Sequence, residues 1–89
     1  MMTMEKITSP LVEGTFALHQ AIALVTELYD VKIRFHESMI QGNTMEEDVK
    51  MRERKIKSLQ ETRAHLIARI KSSGNVVAIR SDIELITAH

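Results

Sequence analysis

Apolar residues recur every three to four positions from Leu11 to Ile40 and again from Met45 to about Ser72, the spacing of helices. In the first stretch a seven-residue frame runs through Leu11, Gly14, Leu18, Ala21, Val25, Leu28, Lys32, Phe35 and Met39. Ala17, Leu24 and Val31 on one flank, with Ile22 and Tyr29 on the other, widen it well beyond a two-stranded seam. The second stretch gives a narrower line: Met45, Val49, Arg52, Ile56, Leu59, Arg63, Leu66 and Ile70.

The punctuation agrees with two helices. Ser9-Pro10 has the form of a helix start, with serine as cap and proline where no amide is needed. Gly42-Asn43 has the form of a stop, and Thr44 with Glu47 has the capping-box spacing of a new start. Gly74 closes the second helix. These marks predict helices of about 30 residues, each about 45 Å long. A link as short as Gly42-Asn43-Thr44 makes them antiparallel. Residues whose numbers add to about 85 then share a height in the hairpin.

The two ends read differently. Residues 1–8 show no period and are expected to form a flexible leader before a hairpin over 9–74. In the tail, 75–89, Asn75 to Arg80 is β-branched and extended. Ser81 and Glu84 then repeat the capping-box spacing before Ile83, Leu85 and Ile86, which predicts a short terminal helix. An isolated strand has nothing to pair with, so Val76, Val77 and Ile79 are expected to pack across the hairpin or onto a partner chain. One narrow stripe cannot cover one wide one. The expected fold is therefore all-α, a helical hairpin dimerising as a coiled-coil four-helix bundle. Its dimer core would be Leu11, Leu18, Ala21, Val25, Leu28 and Phe35. The alternative is a monomer in which the tail folds over the first helix.

Composition trims the functional classes. Eighty-nine residues make one small domain, and 44% hydrophobic with 27% charged residues is a globular balance. No cysteine means no disulfide and no thiolate zinc site. The longest uncharged stretch of the N-terminal half, Gly14 to Thr26, is short of the ~20 residues of a membrane span. No targeting signal is evident, so a soluble, cytoplasmic protein with no membrane role is expected.

The net charge of zero hides a split. Through Val49 there are three basic and eight acidic residues; from Lys50 to Lys71 there are eight basic and two acidic. The densest basic run is Lys50, Arg52, Arg54, Lys55 and Lys57, interleaved with i,i+4 pairs such as Glu46–Lys50 and Glu53–Lys57. At ~100° per residue these cations scatter around the helix. Lys32 and Arg52 stand out, since both occupy seam positions and the height rule puts them in one layer. They make either a cationic notch for an anion or two long stems reaching water. Arg63 offers the same two readings, and if buried needs a carboxylate such as Glu27 of a neighbouring chain. Met39, Met45 and Met51 cluster at the turn, where core filling is favoured over an adaptable partner patch.

Catalytic and metal patterns are missing. His36-Glu37 begins like a zinc-protease motif, but Ile40 stands where its second histidine belongs. His19 and His65 share a height yet point apart. There is no glycine-rich phosphate loop, no nucleophile elbow and no cysteine nucleophile. The sequence thus predicts a non-enzymatic homodimer without metal or cofactor, acting through protein–protein interaction as an adaptor, chaperone or regulator. Its partner surface would include Lys32, Arg52, Arg54, Lys55, Lys57 and Arg63. A nucleic-acid-associated regulator using the basic second helix is the alternative.

Overall fold

The β-branched and aromatic residues at the two ends of the chain find each other. In the computed structural model, which describes residues 3–43 and 45–88, the order is β1 (Met4–Phe16), α1 (Leu18–Ile40), α2 (Glu46–Ser73) and β2 (Val77–Ala88). The two strands pair antiparallel, from Met4 opposite Ala88 to Phe16 opposite Val77. The fold is mixed α/β: two antiparallel helices carrying a two-stranded ribbon. This overturns the all-α class and the helical hairpin, coiled coil and four-helix bundle that go with it.

Each correction has a local cause. Ser9-Pro10 starts no helix; it lies inside β1, beside a break in register where Leu11 is the extra residue between Pro10 and Val12. Such a bulge suits proline, which has no amide to give to a ladder. The bulge also shifts the side-chain alternation by one, so Val12 and Ser9 share a face although three positions separate them. The broken alternation leaves no clear two-residue period for the sequence to show. The expected leader supplies Met4 to Thr8 to the ladder, and the expected terminal helix at Ser81 is strand throughout.

Helix α1 begins only at Leu18, with Ala17 as its cap residue. Half a capping box remains, the Ala17 amide donating to Gln20 Oε1 at 3.2 Å. The turn closes with Gly42 left-handed at φ 79° and the Asn43 amide donating to the Ile40 carbonyl at 3.0 Å. The expected cap Thr44 lies outside the described residues; Asn43 Oδ1 accepts from the Met45 amide at 2.8 Å. Glu46, Glu47 and Asp48 fill the first turn of α2, where carboxylates suit the helix dipole. Gly74 ends α2 left-handed at φ 66°.

Alternation gives the ribbon two faces. Phe16, Val77, Ile79, Val12, Ser81, Ser9, Ile83, Ile7, Leu85, Glu5 and Thr87 share one; Glu13, Arg80, Asp82, Thr8, Glu84, Lys6, Ile86 and Met4 share the other, which is the more polar. The inner part of the apolar face sits on the helices. Ala21, Val25 and Ile70 form the buried cluster, and Phe16, Val77 and Ile79 pack against it beside Leu18, Ile22, Tyr29, Leu66 and Ile67. The apolar surface of the first half of α1 is thus met within the chain by the two ends, while Val31, Phe35 and Met39 stay exposed. Farther out the ribbon is solvated on both faces, with Ile83 45% and Leu85 55% exposed. The chain measures 48 × 36 × 15 Å, thin in one direction, and among the described residues of the core Ala21 alone is wholly buried.

A core this small makes each large side chain count. Ile70→Ala, which empties the side chain joining the helices to the ribbon, is expected to cost about 2–4 kcal/mol. Chemical denaturation of the two proteins checks it through the shift in midpoint.

Candidate functional site

Lys32 and His36 lie one turn apart on α1, and Arg52, Lys55, Ser58 and Leu59 follow the facing side of α2. Lys32, His36, Lys55, Ser58 and Leu59 line a shallow cavity of about 260 Å³ between the helices. Arg52 lies behind His36. Its Nη1 donates to His36 Nδ1 at 2.9 Å, and its guanidinium carbon lies 5.9 Å from the centre of the Phe35 ring. Phe35 meets the imidazole edge-on at 5.6 Å. Arginine is always protonated, so Nδ1 must accept, the imidazole is neutral and its proton sits on Nε2.

Electrostatics point the same way. His36 is buried, and its pKa is lowered below the ordinary 6.5 by desolvation first and then by the charges of Arg52, Lys55 and Lys32. The expected opposition of Lys32 and Arg52 is therefore displaced by about one turn. His36 meets Arg52, while Lys32 shares its cavity with Lys55 and Leu59. In the sequence His36 reads only as a broken zinc motif, and Ser58 carries no signal. The available signal was the histidine one turn beyond the seam lysine.

The other candidate residues are dispersed. Arg54 and Lys57 line an open depression on the outer side of α2 with Lys50 and Glu53, and Lys50 pairs with Glu46 at 3.2 Å. Arg63 is half-buried and pairs with Asp30 of α1 in the same chain, in place of a carboxylate from a neighbour. Of the expected dimer core, Ala21 and Val25 are consumed inside the chain and Leu18 packs beside them. Leu11 sits at the ribbon bulge and Leu28 beside it, while Phe35 is exposed under Arg52. Met39, Met45 and Met51 are all exposed and so are not core filler.

Comparison with family models, curated proteins and solved structures found no match. The site must therefore be read from its own chemistry. Among the described residues no three His, Asp or Glu side chains converge as a metal site; His19 and His65 are exposed, and His89 lies outside those residues. No described helix is long and apolar enough to cross a membrane. What the notch offers is donors: two ammonium groups, a guanidinium, an imidazole N–H and a hydroxyl.

Because folding lowers the His36 pKa, the unfolded chain takes up this proton first as pH falls. The stability tied to the neutral ring is whole above about pH 6.5 and declines below it. The urea midpoint should fall between pH 7 and pH 5, and by less in His36→Asn, whose side-chain oxygen still accepts from Arg52. Equal losses in the two proteins would contradict this.

Proposed function

We propose that the chain is a non-catalytic interaction protein that assembles as a homodimer through the outer part of its ribbon. The observation that carries this reading is the ribbon's unequal faces. On the more polar face Lys6 pairs with Glu84 and Arg80 with Asp82, and its exposed apolar residues, Met4 and Ile86, lie at the ribbon's end. On the other face Ile7, Ile83 and Leu85 continue the line of Phe16, Val77 and Ile79 past the end of the helices and lie open. A two-stranded sheet with an uncovered apolar face is marginal in water, and its unpaired edges invite association.

A second copy answers both problems. The same aliphatic patch on two chains is self-complementary about a two-fold axis, and stacked sheets bury such faces about 10 Å apart. Zero net charge adds little repulsion to that approach. This arrangement joins ribbons and leaves the helices outside. Val31, Phe35 and Met39, spaced one turn apart on α1 and exposed, are then the surface offered to another protein. Catalysis is not part of this reading: His36 makes its hydrogen bond to Arg52, not to Ser58, so no base is aligned on that hydroxyl.

The small patch places the dimer on the order of micromolar affinity. Sedimentation across a concentration series should show a monomer–dimer equilibrium that Ile83→Lys with Leu85→Lys shifts to monomer. The helical circular dichroism of that variant should be retained. A wild-type chain that stays monomeric at several hundred micromolar would overturn the proposal.

One observation favours nucleic acid as a second reading: Lys50, Arg54 and Lys57 line the same outward depression of α2. Glu53 interrupts it and Glu46 engages Lys50, so binding is expected to be weak. If phosphate backbone is the partner, retention on heparin must fall steeply between 50 and 200 mM salt, at the steepness known for phosphate contacts. No retention at the lower salt removes this reading.

A further inference from the structure

We propose that the notch formed by Lys32, His36, Arg52, Lys55 and Ser58 is a binding site for an oxyanion of the phosphate class. The charges of Lys32, Arg52 and Lys55 converge on one buried ring. Elsewhere in the chain Lys6, Lys50, Arg63 and Arg80 each have a carboxylate partner, while Arg34, Arg54, Lys57, Arg69 and Lys71 show none but are not gathered around one ring. Among the described residues Lys32, Arg52 and Lys55 have none either. Like charges gathered without a counterion repel at close range, and an anion in the cavity reverses the sign of that contribution.

The shape and the donor set define the class. About 260 Å³ holds a single anionic group rather than a long ligand. Each polar side chain in its lining can donate: Lys32 and Lys55 from opposite helices, the His36 imidazole, and the Ser58 hydroxyl. Arg52 is held over the Phe35 ring and hydrogen-bonded to His36 Nδ1, which fixes the tautomer that presents Nε2–H as donor. Two ammonium groups in the lining, with the Arg52 charge behind the imidazole, exceed what one carboxylate neutralises and suit a dianion with several acceptor oxygens. The notch belongs to the helix pair, and its occupancy does not require assembly through the ribbon.

Titration with inorganic phosphate and, separately, with glycerol phosphate tests the proposal, each against sodium chloride at matched ionic strength. The readout is the His36 imidazole resonance, assigned by its loss in His36→Asn. Saturable shifts are expected, together with a higher His36 pKa when the anion is bound, since a nearby negative charge favours the imidazolium over the repulsion from Lys32, Arg52 and Lys55. The double variant Lys32→Gln, Lys55→Gln replaces two exposed side chains and should keep its helical circular dichroism while losing at least tenfold in affinity. Tighter binding of the ester identifies an organic phosphate as the ligand, and equal binding identifies free phosphate. No saturable shift at 50 mM of either probe would overturn the proposal. So would an undiminished affinity in the double variant.

Discussion

Everything else in this chain hangs on the pairing of its two ends. The ladder from Met4–Ala88 to Phe16–Val77 is the longest-range contact available to the polypeptide, and it converts two helices with a leftover apolar face into a closed domain. Without it, Ile22, Tyr29 and Leu66 would lie bare beside a seam too narrow to cover them. With it, Phe16, Val77 and Ile79 sit on the Ala21, Val25 and Ile70 cluster and the helices acquire a second layer. The entropy of closing nearly the whole chain into one loop opposes this ladder. The return is apolar burial at one end of the helix pair.

That geometry divides the molecule into regions of different character. Around Ala21 and Ile70 the ribbon and both helices meet and the packing is densest. Toward the turn the helices run without the ribbon, and charged groups enter the seam beside buried Ile33. Arg63 is matched there by Asp30, but Arg52 is matched only by a neutral imidazole. Toward Ile83 the ribbon runs without the helices and its inner face is bare. The proposed dimer surface and the proposed anion site lie in these two uncovered regions, where the single core has run out.

How much of this was legible in the sequence follows from the range of each interaction. The α2 seam is a local pattern: Val49, Arg52, Ile56, Leu59, Arg63, Leu66 and Ile70 are all half-buried or buried as their spacing requires. The stop at Gly74 is local too. The strands were not legible because their partners lie at opposite ends of the chain and the bulge at Leu11 hides the two-residue alternation. Ser9-Pro10 added a false cap, since the same missing amide serves a helix start and a strand bulge. In the site, the cationic character of Lys32 and Arg52 was readable, but their partners depended on a helix register that differs by a turn. His36 became meaningful only once Arg52 was placed against it.

The central claim is that Leu11 to Phe16 is strand, paired with the C-terminal segment, and not the first turn and a half of a long helix. Nuclear Overhauser contacts at low concentration test it most directly. Paired strands predict close cross-strand backbone contacts between Val12 and Ser81, Glu13 and Arg80, and Thr15 and Ala78. Helical contacts three residues apart through Leu11 to Phe16, with none to the C-terminal segment, would contradict the account.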